Sequence, residues 1–215
     1  MPTRRSVLLA GATGLVGREC LRLLFAAPFV ERLVVLTRRA LPASIVPTRG
    51  AAKLEVYEID FARLEHHVTL FTADQIICTL GTTIKSAGTR ERFRDVDFGH
   101  VYALARLGVK RGAHHFVLVS SLGANARSRI FYNRVKGEIE DAVRALPYRS
   151  VTIVRPSLLL GERTEPRPFQ RIAGWSAFLW PRKYQPVEAR RVAAAIVGAA
   201  AEDVQGVRII ESVAM

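Results

Sequence analysis

Ser6-Val7-Leu8-Leu9-Ala10-Gly11-Ala12-Thr13-Gly14-Leu15-Val16-Gly17 holds a short apolar run, three glycines at intervals of three, and the start of a second apolar series. From Leu15 to Phe25 the apolar residues recur at helical spacing among Arg18, Glu19 and Arg22, so the stretch predicts strand, tight turn, helix. In that context the first glycine permits the turn, the second lets a ligand approach the backbone, and the third lets helix and strand pack closely. A helix N-terminus there offers free N–H groups and a positive dipole end to a pyrophosphate. Gly11, Thr13, Gly14, Leu15, Val16 and Gly17 are therefore candidate binding residues, and no Gly-Lys-Ser/Thr follows that would make the loop a P-loop.

Outward from this turn the chain alternates strand and helix. Ala27-Pro28 stops the helix, and Leu33-Val34-Val35-Leu36 makes a second strand that ends at Thr37-Arg38-Arg39. Further strands are predicted at 54–59, 74–78, 115–120, 150–154 and 207–210, with helices at 91–110, 131–146 and 187–201. Such alternation predicts one α/β domain over residues 1–215: a doubly wound, mostly parallel sheet of the Rossmann kind, with ligands at the C-terminal ends of the strands. Residues 161–186, punctuated by four prolines and carrying Trp175, Phe178 and Trp180, are expected to form a small cap.

Arg38 falls 21 positions after Gly17, where an NAD-preferring protein places an acidic residue on the ribose hydroxyls. Two guanidiniums stand here instead, and arginine grips phosphate bidentately at any working pH. The 2′-phosphate of NADP(H) is the expected partner of Arg38 and Arg39.

Tyr132 and Lys136 are four apart on a predicted helix, hence on one face. An ammonium roughly 4 Å from a phenol, at an effective dielectric of about 20, favours phenolate by about 4 kcal/mol before desolvation. A tyrosine so placed is a usable acid or base. The preceding strand ends in Val119-Ser120-Ser121, which would deliver a hydroxyl to the same edge of the sheet.

In Gly11–Gly17, Thr37-Arg38-Arg39, Cys78-Thr79-Leu80-Gly81-Thr82-Thr83, Ser120-Ser121-Leu122-Gly123-Ala124, Phe131–Glu138 and Arg155–Gly161, the chain resembles the atypical branch of the short-chain dehydrogenase/reductase superfamily. It is most similar there to the Tat-interacting-protein-30-like group of NADP(H)-binding proteins. The resemblance implies hydride transfer between NADP(H) and a carbonyl or alcohol carbon of a small molecule, with NADP(H)-dependent sensing or scaffolding without turnover as the alternative. It further implies Tyr132 as general acid or base, Lys136 favouring the phenolate and holding the nicotinamide ribose, and Ser121 hydrogen-bonding the substrate oxygen. Ser120 would lie beside the nicotinamide, Asp60 and Phe61 would flank the adenine, and Leu80, Gly81, Thr82 and Thr83 would run along the cofactor. Pro156, Ser157 and Leu158 would line the nicotinamide side. Ser121 precedes Tyr132 by eleven residues, a shorter gap than is typical of the superfamily.

Composition narrows the remaining classes. The chain has 32 basic and 19 acidic side chains, a net charge of +13, yet its arginines are scattered, so anionic ligands are favoured without a dedicated nucleic-acid surface. Thr3-Arg4-Arg5 before an apolar run imitates a twin-arginine export signal, but that run enters the glycine turn and is expected to be the first strand. With two distant cysteines and no membrane-length apolar run, a cytoplasmic protein without a metal site is expected, with room for a homodimer. His66-His67 and His114-His115 are not expected to bind metal, since neighbouring side chains diverge. Asp95, Asp97, Glu138 and Glu140 are expected to be solvated charges on helix faces. Core packing is the expected role of Trp175, Phe178 and Trp180.

Overall fold

The computed structural model describes residues 4–45, 53–160 and 185–215. Seven strands make one parallel sheet: β1 (Arg5–Ala10), β2 (Val30–Thr37), β3 (Leu54–Glu58), β4 (Gln75–Cys78), β5 (His115–Val119), β6 (Ser150–Arg155) and, after a parallel pair β7 (Leu159–Leu160) and β8 (Val187–Glu188), β9 (Gly206–Glu211). Their spatial order is β3-β2-β1-β4-β5-β6-β9. The order reverses direction between β1 and β4, the switch point at which open parallel sheets hold ligands. Most of the expected cap, including Trp175, Phe178 and Trp180, lies outside the described residues.

Helices cover both faces because the inner strands are apolar on both. On one face α1 (Leu15–Ala26) packs beside α6 (Ala189–Glu202), with Cys20, Leu21, Leu24, Val192 and Ile196 buried against Val7, Leu9 and Val35. On the other face lie a 3-10 segment (Phe61–Leu70), α4 (Val101–Lys110) and α5 (Phe131–Arg144), burying Leu64, Leu104 and Ile139 against Leu8, Ile76 and Phe116. The predicted helix over 91–110 is composite: α3 (Arg90–Arg94), a π-helical turn (Asp95–His100), then α4. A short helix, α2 (Ile84–Ala87), capped by the Thr83 hydroxyl, precedes it.

Two charged residues expected at the surface are instead buried, and the helical register gives the reason. Asp97 is fully buried because Phe93, Asp97, Val101 and Leu104 share the stripe that faces the sheet. Glu140, one turn after Lys136, is 1% exposed and meets the Arg155 guanidinium with both oxygens, at 3.0 and 2.5 Å, fastening α5 to β6. Glu138 pairs with Arg94 and remains partly exposed.

At the opposite, N-terminal edge of the sheet, Asp203 ends α6 in a left-handed conformation and gathers His114 at 3.0 Å, His115 at 3.1 Å, Arg149, and Arg5 at 3.6 Å. The two histidines therefore converge on one carboxylate although they are sequence neighbours. Burial lowers the pKa of His115 to about 4, against the raising influence of Asp203.

Candidate functional site

The segments that carry the expected site residues all leave the C-terminal ends of parallel strands, so they lie along one edge of the sheet. Next to β1, Gly11 has φ +92°, a conformation that L side chains rarely adopt. A Cβ on Gly17 would stand 2.1 Å from the Gly11 carbonyl oxygen, so the third glycine is required by the close turn. Gly14 is the N-cap of α1 and supplies no side-chain cap, which leaves the first N–H groups of that helix for a ligand. Thr13 and Leu15 are solvent-accessible at this turn, while Val16 is buried beneath it.

Beyond β2, Arg38 is exposed and lines a cleft of about 480 Å³ together with Glu58, Ile59, Asp60 and His67. Arg39 is exposed as well, and its backbone is held by the Thr37 hydroxyl, which donates to Arg39 O at 2.7 Å. Asp60 accepts from Ala62 N at 2.9 Å and starts the 3-10 segment, while Phe61 is buried with its ring 6.2 Å from that of His100. His100 has its pKa lowered by burial and also by Arg38. Of the expected residues Arg38 and Asp60 thus line one polar cleft, together with Glu58, Ile59 and His67.

The loop after β4 is fixed from behind. Thr82 N donates to Asp97 Oδ2 at 2.8 Å, and the other carboxylate oxygen lies 2.7 Å from Lys136 Nζ. Leu80 is half-buried, and Gly81 passes so close that a Cβ would meet Asp97 Oδ1 at 3.4 Å and Lys136 Nζ at 3.6 Å. Burial alone would lower the pKa of Lys136, but Asp97 and Tyr132 more than offset it and the net shift is upward. Lys136 is thus a buried, charged ammonium shared between a carboxylate and the phenol end of the site. Cys78, at the end of β4, has its thiol pushed up to about 12 by burial, which leaves it protonated.

From β5, Ser120 is 5% exposed, and the hydroxyls of Ser120 and Ser121 are buried without a hydrogen-bond partner among the described residues. Buried hydroxyls ordinarily find partners, so two orphans at the ligand edge of the sheet mark where a ligand's polar atoms belong. Tyr132 is half-buried on α5, its ring 5.4 Å from that of Phe93. After β6, Pro156 O accepts from Leu122 N at 2.9 Å, which ties the two loops together. Ser157 is engaged elsewhere, bonded to Gln185 O and to the Ser212 hydroxyl, and Leu158 is exposed.

Asp97 was missed in the sequence because aspartate among arginines suggests a solvated helix. The available signal was its position: a carboxylate on an apolar helical stripe must find a partner, and Lys136 is the buried cation that it finds. The glycine cradle, the Arg38 cleft, the unpartnered serines and the buried lysine fit a nicotinamide dinucleotide laid across the switch point. Among the described residues, no group of His, Cys, Asp or Glu is arranged to hold a metal ion, and no helix is long and apolar enough to cross a membrane.

Comparison with known proteins agrees. Residues 11–203 match the family described as NAD(P)H-binding. The chain is 31% identical over 210 residues to "Protein FMP52, mitochondrial" of Candida albicans, covering 94% of this chain and 90% of that protein. It is 33% identical to the protein of the same name from Emericella nidulans, over 80% of this chain and 74% of that one. Among solved structures it resembles the Bordetella bronchiseptica enzyme WbmG in complex with NAD, with TM-score 0.71 and 14% identity over 97% of this chain and 73% of that one. A UDP-N-acetylglucosamine 4-epimerase from Methanobrevibacter ruminantium is similar at TM-score 0.72 and 13% identity, over 97% and 77%. These structural likenesses show the fold. The expected cytoplasmic location is overturned, since the curated relatives are named as mitochondrial proteins.

Proposed function

Since the chain belongs to the NAD(P)H-binding family, we propose that it is an NADP(H)-dependent oxidoreductase of the short-chain dehydrogenase/reductase kind, acting on a carbonyl or alcohol carbon of a small molecule. What supports this reading is a buried, charged Lys136 that feels Tyr132 one turn earlier on α5, together with two buried serine hydroxyls after β5 that lack a partner among the described residues. The bound nicotinamide would supply or accept the hydride. Ser121 would hold the substrate oxygen, Tyr132 would give it a proton or take one, and Lys136 would bind the ribose and steady the charge at the phenol. Gly11, Gly14 and Gly17 would admit the pyrophosphate, Asp60 and Phe61 would adjoin the adenine, and Leu80 to Thr83 would run along the cofactor. Arg38, with Arg39 beside it, would hold the 2′-phosphate.

Binding without turnover is the second reading, favoured by one observation: Asp97 already neutralises the ammonium that would act on Tyr132. Oxidation of NADPH, followed against aldehydes, ketones and quinones in the unmutated protein and in Tyr132→Phe, separates the two. Turnover reduced at least about 100-fold in Tyr132→Phe is expected. Undiminished turnover in that variant removes Tyr132 as the acid, and no turnover on any of the three classes favours the binding reading.

A further inference from the structure

The charge of the chain is unevenly spent. Between Thr79 and Arg94, after β4, there are four cations and one carboxylate; between Ser120 and Gly137, after β5, there are four cations and none. Of these eight, Lys136 is taken by Asp97 and Arg94 by Glu138, while Arg134 donates to Ser128 O at 3.0 Å and lies 4.0 Å from Glu138. Lys85, Arg90, Arg92, Arg127 and Arg129 are exposed, with no carboxylate within 4 Å among the described residues, Glu91 feeling Arg90 only from farther away. At the other edge of the sheet, Arg5 and Arg149 are compensated by Asp203. Five such cations thus lie on the segments after β4 and β5, the second of which carries Ser120, Ser121 and Tyr132.

Arg90 is the best placed of them. Its guanidinium lies 5.3 Å from the centre of the Phe131 ring, and Phe131 immediately precedes Tyr132. Phe93 touches both rings, at 5.8 and 5.4 Å. A guanidinium laid over an aromatic ring keeps its N–H edge free for an anion in its own plane. Ile84, Ile130 and Leu158, on the segments after β4, β5 and β6, are 38%, 62% and 36% exposed, so the organic part of a ligand would meet apolar surface there.

We propose that the substrate carries an anionic group, carboxylate or phosphate, and that Arg90 holds it while the carbonyl or alcohol carbon lies at Ser121 and Tyr132. This rests on the oxidoreductase reading for the position of the reacting carbon, but the anion site itself is a matter of binding. The two anions share the chemistry, a planar or tetrahedral set of oxygens taking two N–H donors, and differ in charge.

The test is calorimetric binding of three alcohols, with and without saturating NADPH, which cannot accept a hydride and so leaves them unreacted. The probes are 4-carboxybenzyl alcohol, its methyl ester, and 4-(hydroxymethyl)phenyl phosphate. At least one of the two anions is expected to bind about tenfold or more tighter than the ester, as one charge-assisted contact allows. The tighter anion identifies the group. The gap should vanish in Arg90→Gln, persist in Arg22→Gln on the exposed side of α1, and shrink in 0.5 M salt. Equal affinities for all three, or a gap untouched by Arg90→Gln, overturns the proposal. Reduction of the matching aldehydes is assayed alongside. A binding gap without turnover keeps the anion site and removes the oxidoreductase reading; turnover without a gap does the reverse.

Discussion

Asp97 and Lys136 face each other at 2.7 Å, carboxylate to ammonium, and neither is accessible to solvent to any useful extent. A buried pair contributes little over an apolar substitute, but removing one partner leaves an uncompensated charge and costs about 3–5 kcal/mol. Asp97→Asn should therefore destabilise the fold by that amount at neutral pH while keeping an acceptor for Thr82 N. The sign with pH follows from Lys136. In the native protein its pKa is raised, so its stabilisation is complete below the unfolded value and is lost only at strongly alkaline pH. In Asp97→Asn the largest opposing influence is gone, burial outweighs what Tyr132 and Cys78 contribute and lowers the pKa, so the variant should gain stability as pH rises from 7 to 10. Urea midpoints over that range check both statements, and a variant with an unchanged midpoint at pH 7 contradicts them.

Gly14 and Gly17 separate folding from ligand binding. A Cβ on Gly17 would overlap Gly11 backbone at 2.1 and 2.7 Å and the Thr79 hydroxyl at 2.7 Å, so Gly17→Ala should cost about 3 kcal/mol, at the upper end for overpacking. A Cβ on Gly14 would meet only Gly11 O, at 3.4 Å, an ordinary contact. Gly14→Ala should keep the melting temperature within about 2 °C and weaken NADPH binding about tenfold or more, because in the proposed cofactor site the methyl would stand where the pyrophosphate approaches. Melting curves paired with fluorescence titration decide; tight NADPH binding by Gly14→Ala would remove the loop from the cofactor site.

How far these features could be read in the sequence depends on whether they are periodic. The glycine turn, the apolar strands and a helix over 91–110 each announce themselves by spacing, and the parallel direction of the strands follows from alternation. The π-helical turn at Asp95–His100, which carries Asp97, has no pattern of its own in the sequence. Asp97 and Glu140 were hidden because residue type suggested solvent while register placed them inside. The convergence of His114, His115, Arg149 and Arg5 on Asp203 joins four chain segments through tertiary contact, and no local rule reaches across them.

Arg38 lines the cleft beside Asp60 and His67, and carries the proposed preference for the phosphorylated cofactor. A charge-assisted contact to the 2′-phosphate is worth about 1.5–3 kcal/mol, which is roughly 10- to 100-fold in affinity. Arg38→Ala should weaken NADPH binding by that factor and leave NADH nearly unchanged, since NADH lacks the group concerned. Paired titrations of both coenzymes measure this directly. Equal binding of NADPH and NADH by the unmutated protein would refute the cofactor assignment whatever the variant does.

His115 gives the fold a sensitivity to mild acid far from the ligand edge. Its ring is buried, with Nδ1 3.1 Å from Asp203 Oδ1 and 3.5 Å from Gln75 Nε2, and Nε2 3.0 Å from the Thr152 hydroxyl. His114, Arg149 and Arg5 surround the same carboxylate, so a proton added to His115 meets cations as well as Asp203. With a folded pKa of about 4 against 6.5 when unfolded, the unfolded chain binds the proton first. The stabilisation is complete above pH 6.5 and is lost as pH falls towards 4, by about 3 kcal/mol in all. Asp203, whose pKa is lowered by His114, His115 and Arg149 against its own burial, adds a second loss only below about pH 4. Guanidinium midpoints at pH 7, 5.5 and 4.5 should therefore decline in the unmutated protein. In His115→Gln, which keeps polar contacts without a proton to bind, the decline between 6.5 and 4.5 should be largely absent; an undiminished slope in that variant assigns the acid sensitivity to other groups.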